Sequence, residues 1–310
     1  MRRREFLAGC GAMLAARAGK PLRGIFPIAQ TPFTESDELD VEALVEQLRF
    51  VHRGGVHGFV WPQLASEWST LTEAERLEGA EALLSAGRKL APAIVIGVQG
   101  ESLEQAVRYA RHAEKMGADA IISLPPAKAA PAAHAAYYEE IGRAASLPLF
   151  VQAVGDMSVA SILAMYRRTP TLRYVKDEAG QPLFRIGPLR EGSGGELKIF
   201  TGGHGRTLID EMIRGSSGSM PAASFADLYA AAWDLWQEGK RREAVEMFGR
   251  ASILINEIGA YGTESLKYIL HLRGVFRTWR TREKTRASLD ETGKRVLREL
   301  LGLLKPWLRA

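Results

Sequence analysis

Eight short apolar runs, each followed by a longer stretch of helical period, constrain this chain more than any other feature. The first four are GIFPIA (24–29), GFVWPQ (58–63), AIVIGV (93–98) and DAIISL (119–124). The others are PLFVQA (148–153), LRYVKD (172–177), LKIFTG (197–202) and the short GSM (218–220). Strands that alternate with helices pair in parallel, because each crossover returns the chain to the same end of the sheet. Eight such units are the number that closes, so the expected fold is α/β, a (β/α)8 TIM barrel.

The connecting segments carry their own start and stop signals. In DVEALVEQLRFVHRGG, residues Val41, Leu44, Val45, Leu48 and Val51 share one helical face. Asp40 stands where an N-cap belongs, and Gly54-Gly55 ends the run. SLEQAVRYARHAEKMGA repeats the design between Ser102 and Gly117. After residue 240 the strands cease, and three amphipathic segments predict a C-terminal helical extension. No long Gly/Ser linker precedes them, so the expected division is 19–240 for the barrel and 241–310 for an extension packed on it. The stripe Leu266, Ile269, Leu270 reads as core.

Composition removes several function classes. A single cysteine, Cys10, excludes an internal disulfide and a Cys-rich metal site. The net charge is +5, of which residues 1–18 supply +3, and the remaining +2 makes no case for nucleic acid. No apolar run reaches the ~18 residues of a membrane-spanning helix. A dinucleotide fold wants G-x-G-x-x-G after its first strand, whereas this strand runs into AQTPFTES. The six histidines are scattered, and the closest pair, His52 and His57, has no acidic partner at ligand spacing. No metal and no other cofactor is expected.

Residues 1–18 read as an address. Arg3-Arg4-Glu5-Phe6-Leu7 resembles the twin-arginine export signal, and Ala16-Arg17-Ala18 before Gly19 fits a small-x-small cleavage site. LAGC (7–10) resembles a lipoprotein box but precedes the apolar stretch instead of following it. The expectation is a periplasmic protein with a mature start near Gly19. A cytoplasmic protein with a frayed N-terminus is the alternative, and Arg17 inside the apolar part favours it.

Several segments in order resemble one family, the lysine-dependent pyruvate aldolases typified by dihydrodipicolinate synthase and N-acetylneuraminate lyase. GIFPIAQTPFTESDELD is similar to the family opening, where the first strand runs into T-P-F. QLASEWSTLTEAER (63–76) occupies the place of G-T-T-G-E-x-x-x-L-T and keeps Glu67, Leu71 and Thr72. YVKDEAG (174–180) resembles the Schiff-base strand, and FTGGHGRTLIDEMIRGSSGSMPA the seventh and eighth strands with their turn. The resemblance covers roughly residues 21–240.

It implies an imine-forming lyase or aldolase acting on pyruvate or a related 2-oxo acid, assembled as a homodimer or homotetramer. Lys176 becomes the imine-forming lysine, at a strand end where barrels place their chemistry. Withdrawal into the mouth beside Tyr174 and Val175 would favour the neutral, nucleophilic amine, and strand alternation turns Asp177 away. Both threonines that help hold the pyruvate carboxylate are replaced, by Leu64 and Ala65. The backbone N–H groups of Ala65 and Ser66, with the Ser66 hydroxyl, are left to hold it. Met220, on the eighth strand, is the remaining substrate contact.

The departures point away from the synthase itself. The proton-transferring tyrosine of the fifth strand is Gln152, which hydrogen-bonds but is no acid near neutral pH. Ala127 stands where a neighbouring subunit would receive a tyrosine, and Met157 where the synthase carries its arginine. A barrel that binds a small carboxylate without turnover is therefore the alternative function. Glu67 fits either bracing or substrate contact, and GGHG (202–205) either a phosphate cradle or a flexible loop.

Overall fold

A computed structural model describes residues 19–126, 130, 133–283 and 287–310, so the N-terminal address and Ala127 lie outside the described residues. The strands are β1 (Gly24–Ile25), β2 (Gly58–Trp61), β3 (Ala93–Gly97) and β4 (Ala120–Ser123). They continue as β5 (Leu149–Ala153), β6 (Leu172–Asp177), β7 (Lys198–Thr201) and β8 (Gly218–Ser219). All pair in parallel in the order β1-β8-β7-β6-β5-β4-β3-β2. A further parallel bridge, Ile28 to Val60, joins β1 to β2 and closes the (β/α)8 barrel.

Alternation along each strand makes two layers. Phe26, Val60, Val95, Ile122, Phe150 and Phe200 fill the interior. Their neighbours Phe59, Trp61, Ile94, Ile121, Val151 and Val175 face the helices. Inside, Phe150 stacks on Tyr174 at 4.4 Å, while Phe200 meets Phe26 and Phe150 edge-on at 5.1 and 5.4 Å. These rings plug the barrel one inward position below Gln152 and Lys176, so the mouth has an apolar floor.

The helices of the outer ring are α1 (Val41–Arg53), α2 (Glu73–Gly87), α3 (Leu103–Met116) and α4 (His134–Ala144). The ring continues with α5 (Val159–Arg168), α6 (Pro182–Gly192), α7 (Leu208–Ile213) and α8 (Ala226–Gln237). The caps sit where the sequence puts them. Asp40 Oδ1 accepts from Ala43 N at 2.9 Å, Ser102 Oγ accepts from Gln105 N at 3.2 Å, and Gly117 ends α3 at φ +83°. On α1, Leu44, Leu48 and Val51 are buried as expected, but Gln47 and Phe50 join them.

Beyond the barrel lie α9 (Arg241–Tyr261), α10 (Thr263–Leu272) and α11 (Glu291–Leu304). Phe248, Leu254, Ile258, Leu266, Ile269 and Leu297 from these helices share one apolar cluster with Ile25 of β1 and Trp233 of α8. Leu270 is buried in the layer between strands and helices. The segment after α10 crosses back over the barrel. Thr278 Oγ1 donates to Phe33 O at 3.0 Å, and Arg282 N donates to Glu67 Oε2 at 2.8 Å. Among the described residues no helix is long and apolar enough to cross a membrane.

Candidate active site

Lys176 and Gln152 are register partners on adjacent strands, β6 and β5, and both point inward above the aromatic floor. Gln152 is fully buried and Lys176 keeps 4% of its surface exposed. Strand alternation also places Glu178, two residues on, toward the same side. Its Oε2 lies 2.9 Å from Lys176 Nζ and accepts from Gln152 Nε2 at 2.6 Å. Lys176 therefore does not stand alone in an apolar mouth. It meets a carboxylate.

The loop after β7 completes the arrangement. Gly203 N donates to Glu178 Oε1 at 3.1 Å. At Gly202 an added Cβ would lie 2.0 Å from Glu178 Oε1, so a side chain there would push the carboxylate from its place. GGHG is thus a seat for a protein carboxylate. Burial alone would raise the Glu178 carboxyl, but Lys176, Gln152 and Gly203 together outweigh it and hold the carboxyl below its ordinary value. In the same loop His204 takes a left-handed φ of +61°, and its carbonyl accepts from Tyr229 Oη at 2.5 Å. Burial, aided by Arg206 and Lys176 and opposed by Glu178, pushes its imidazole below the ordinary histidine value.

Asp177 turns outward, as alternation requires, and its Oδ2 accepts from Arg185 Nε at 2.8 Å. Gln152 retains one unused group, Oε1, which is buried without a hydrogen-bond partner. A cavity of about 580 Å³ opens beside Glu178 between the segments that follow β6 and β7. Gln181, Phe184, Thr201, Gly203 and Arg206 help line it.

The loop after β2 divides its two predicted residues. Ala65 is half-buried and packs on the interior cluster. Ser66 serves the loop itself: its hydroxyl donates to Ala29 O at 2.5 Å and accepts from Gln63 N at 2.9 Å, and its N–H donates to Gln63 O at 2.9 Å. Thr31 Oγ1 donates to the Ser66 carbonyl at 2.5 Å. The Ser66 donors are satisfied by main chain before any substrate arrives. Met220 is buried inside the barrel beyond β8. Met157 is 95% buried and packs in the outer layer. Glu67 braces, through an ion pair to Lys267 at 2.8 Å. Among the described residues no group of three or more His, Cys, Asp or Glu could hold a metal ion.

Sequence reasoning missed Glu178. The signal was present: K-D-E puts the first and third residues on one face of a strand. Asp177 drew attention because it adjoins the lysine in sequence.

The model of the dihydrodipicolinate synthetase family matches residues 21–301. The chain belongs to that family. The match runs past the barrel into α11, so most of the helical extension is part of the family pattern. A 4-hydroxy-tetrahydrodipicolinate synthase of Rhizobium meliloti (strain 1021) is 30% identical over 166 residues, 51% of this chain and 56% of that one. A protein named as a probable 2-dehydro-3-deoxy-D-pentonate aldolase in Escherichia coli (strain K12) is 28% identical over 235 residues, covering 71% and 76% of the two chains. The dihydrodipicolinate synthase of Rhodopseudomonas palustris superposes with a TM-score of 0.82 at 24% identity. That likeness covers 90% of this chain and 97% of the other, and it is one of fold. The dihydrodipicolinate synthetase family is lyase-type.

Proposed function

We propose that the protein is a lysine Schiff-base lyase or aldolase acting on pyruvate or a related 2-oxo acid. The observation that carries this reading is Lys176, an amine 96% buried at the C-terminal mouth of a barrel strand. Its nitrogen attacks the 2-oxo carbon and forms an imine. The protonated imine then draws electrons from the adjacent carbon, so a neighbouring C–C or C–O bond breaks or forms. The aromatic floor keeps water from beneath the amine. Ala65 flanks the place of the substrate carboxylate, the free Gln152 Oε1 accepts from a substrate hydroxyl, and the cavity beside Glu178 takes the rest of the molecule. The aldolase relative supports this, since a 2-dehydro-3-deoxy acid is itself a 2-oxo acid. A homodimer or homotetramer is part of the proposal, and light scattering of the purified protein reads it out.

A second reading, a barrel that binds a small carboxylate without turnover, draws on the satisfied Ser66 donors and on Gln152 in place of a tyrosine. The test combines trapping with turnover. The protein is incubated with pyruvate and borohydride, and the added mass is mapped by peptide mass spectrometry. An adduct on Lys176, absent from Lys176→Ala, supports imine chemistry, and product formation from a panel of 2-oxo acids and aldehydes separates enzyme from binder. A folded sample with no adduct from any 2-oxo acid overturns the first reading.

A further inference from the structure

We infer that Glu178 is a catalytic residue, the carboxylate that carries protons between Lys176 and the carbonyl oxygen of the 2-oxo acid. The inference rests on the imine reading of Lys176 and supplies what the tyrosine replaced by Gln152 would have done. Three observations carry it. Glu178 touches the reacting nitrogen at 2.9 Å and still exposes 24% of its side chain, which lines the adjacent cavity, so it can meet both amine and substrate. Its two oxygens are aimed by Gln152 Nε2 and Gly203 N. At Gly202 (φ −110°, ψ −132°) an added Cβ would fall 2.0 Å from Glu178 Oε1, so the glycine leaves open the space that the carboxylate occupies.

The charge balance suits the task. Moving one proton from the Lys176 ammonium to the Glu178 carboxylate turns a buried ion pair into two neutral groups, which a site of low polarity tolerates well. The freed amine forms the C–N bond to the 2-oxo carbon while the carbonyl π electrons move to oxygen, which takes the proton from Glu178. The new C–N nitrogen, still cationic, returns a proton to Glu178. Its lone pair then forms the C=N bond and expels the hydroxyl, which leaves as water with the Glu178 proton. The protonated imine is left beside a carboxylate, and the net change is one water released. Among the described residues, the charged or titratable groups around Glu178 are Lys176 on β6 and His204 in the loop after β7, with Asp177 beside it in sequence and Arg206 and Glu211 lining the same cavity.

The experiment is timed borohydride trapping of the full chain with pyruvate, read as the fraction of Lys176 modified at each time and pH. Wild type is expected to trap more slowly at low pH, and Glu178→Gln to slow imine formation about 100-fold, the usual scale for a lost proton carrier, and to lack that low-pH decline. Glu178→Ala is expected to be as slow and to recover when formate, a small carboxylic acid, is added. Gly202→Ala keeps every site side chain but displaces the carboxylate, so it slows trapping too and covers the case in which Glu178 variants unfold. Wild-type rates and pH dependence in Glu178→Gln, or no response of Glu178→Ala to formate, overturn the inference while leaving Lys176 as the imine former. No adduct in wild type overturns both.

Discussion

Lys267 Nζ lies 2.8 Å from Glu67 Oε1, and both side chains are fully withdrawn from water. The same ammonium donates to Arg280 O at 2.7 Å and sits 4.3 Å from the centre of the Phe33 ring. Glu67, in a left-handed conformation at φ +55°, is the residue after Ser66. Helix α10 therefore holds the loop that flanks the barrel mouth, through a buried pair that water and salt screen far less than a surface one.

Removing one partner leaves a buried, uncompensated charge. Lys267→Met is expected to destabilise the protein by about 3–5 kcal/mol, while Lys267→Met with Glu67→Leu costs less than either single change. Burial, reinforced by Arg282 and opposed by Glu67, lowers the Lys267 pKa to about 8. Between that value and the ordinary 10.5 the unfolded chain holds a proton that the folded chain has released. This group's contribution to stability therefore rises with pH across that window and is lost as pH falls through about 8. Denaturant midpoints measured from pH 7 to 10 for wild type and Lys267→Met should differ by that slope, and parallel curves would contradict it.

Gln152 donates to Glu178 at 2.6 Å and so favours its ionised form. A hydrogen bond to a charged group is worth about 1.5–3 kcal/mol, and losing it raises the pH at which the carboxyl titrates. In Gln152→Ala the low-pH limb of Lys176 trapping should move to higher pH. A limb that stays in place would show that the amide does not act on the carboxylate.

Condensation of pyruvate with aspartate semialdehyde is expected to be poor or absent. The residue in the arginine position, Met157, is 95% buried in the layer between strands and helices, far from offering a fork to a carboxylate. Met157→Arg should lower the melting temperature without conferring the activity, because it buries a charge. Efficient turnover of that substrate pair by the wild type, followed by a coupled assay, would count against the substrate reading.

The N-terminal sequence makes a prediction about destination. With Arg3 and Arg4 changed to Lys, the protein should remain inside the cell, whereas the unaltered chain is expected to be exported and to begin near Gly19. Fractionation followed by N-terminal sequencing decides it; native protein starting at Met1 or Arg2 in the cytoplasm contradicts the address.

By itself the sequence determined the barrel, because strand and helix periods and their caps are local properties that persist after folding: all eight strand runs and the Asp40 and Ser102 caps stand where periodicity puts them. It also determined that Lys176 lies at a strand end and that Asp177 faces away, since both follow from alternation along one strand. Local signals did not reach the rest. Gln47 and Phe50 are buried on α1 because of the strands and helices packed around that helix. Gln152 meets Glu178 only because β5 and β6 pair in one register, and Ser66 is spent on main chain because β1 ends beside its loop. Glu67 finds Lys267 only after the C-terminal helices fold back across the barrel. Contacts between distant segments depend on how whole elements pack, and in this protein those contacts aim the carboxylate that stands beside the lysine.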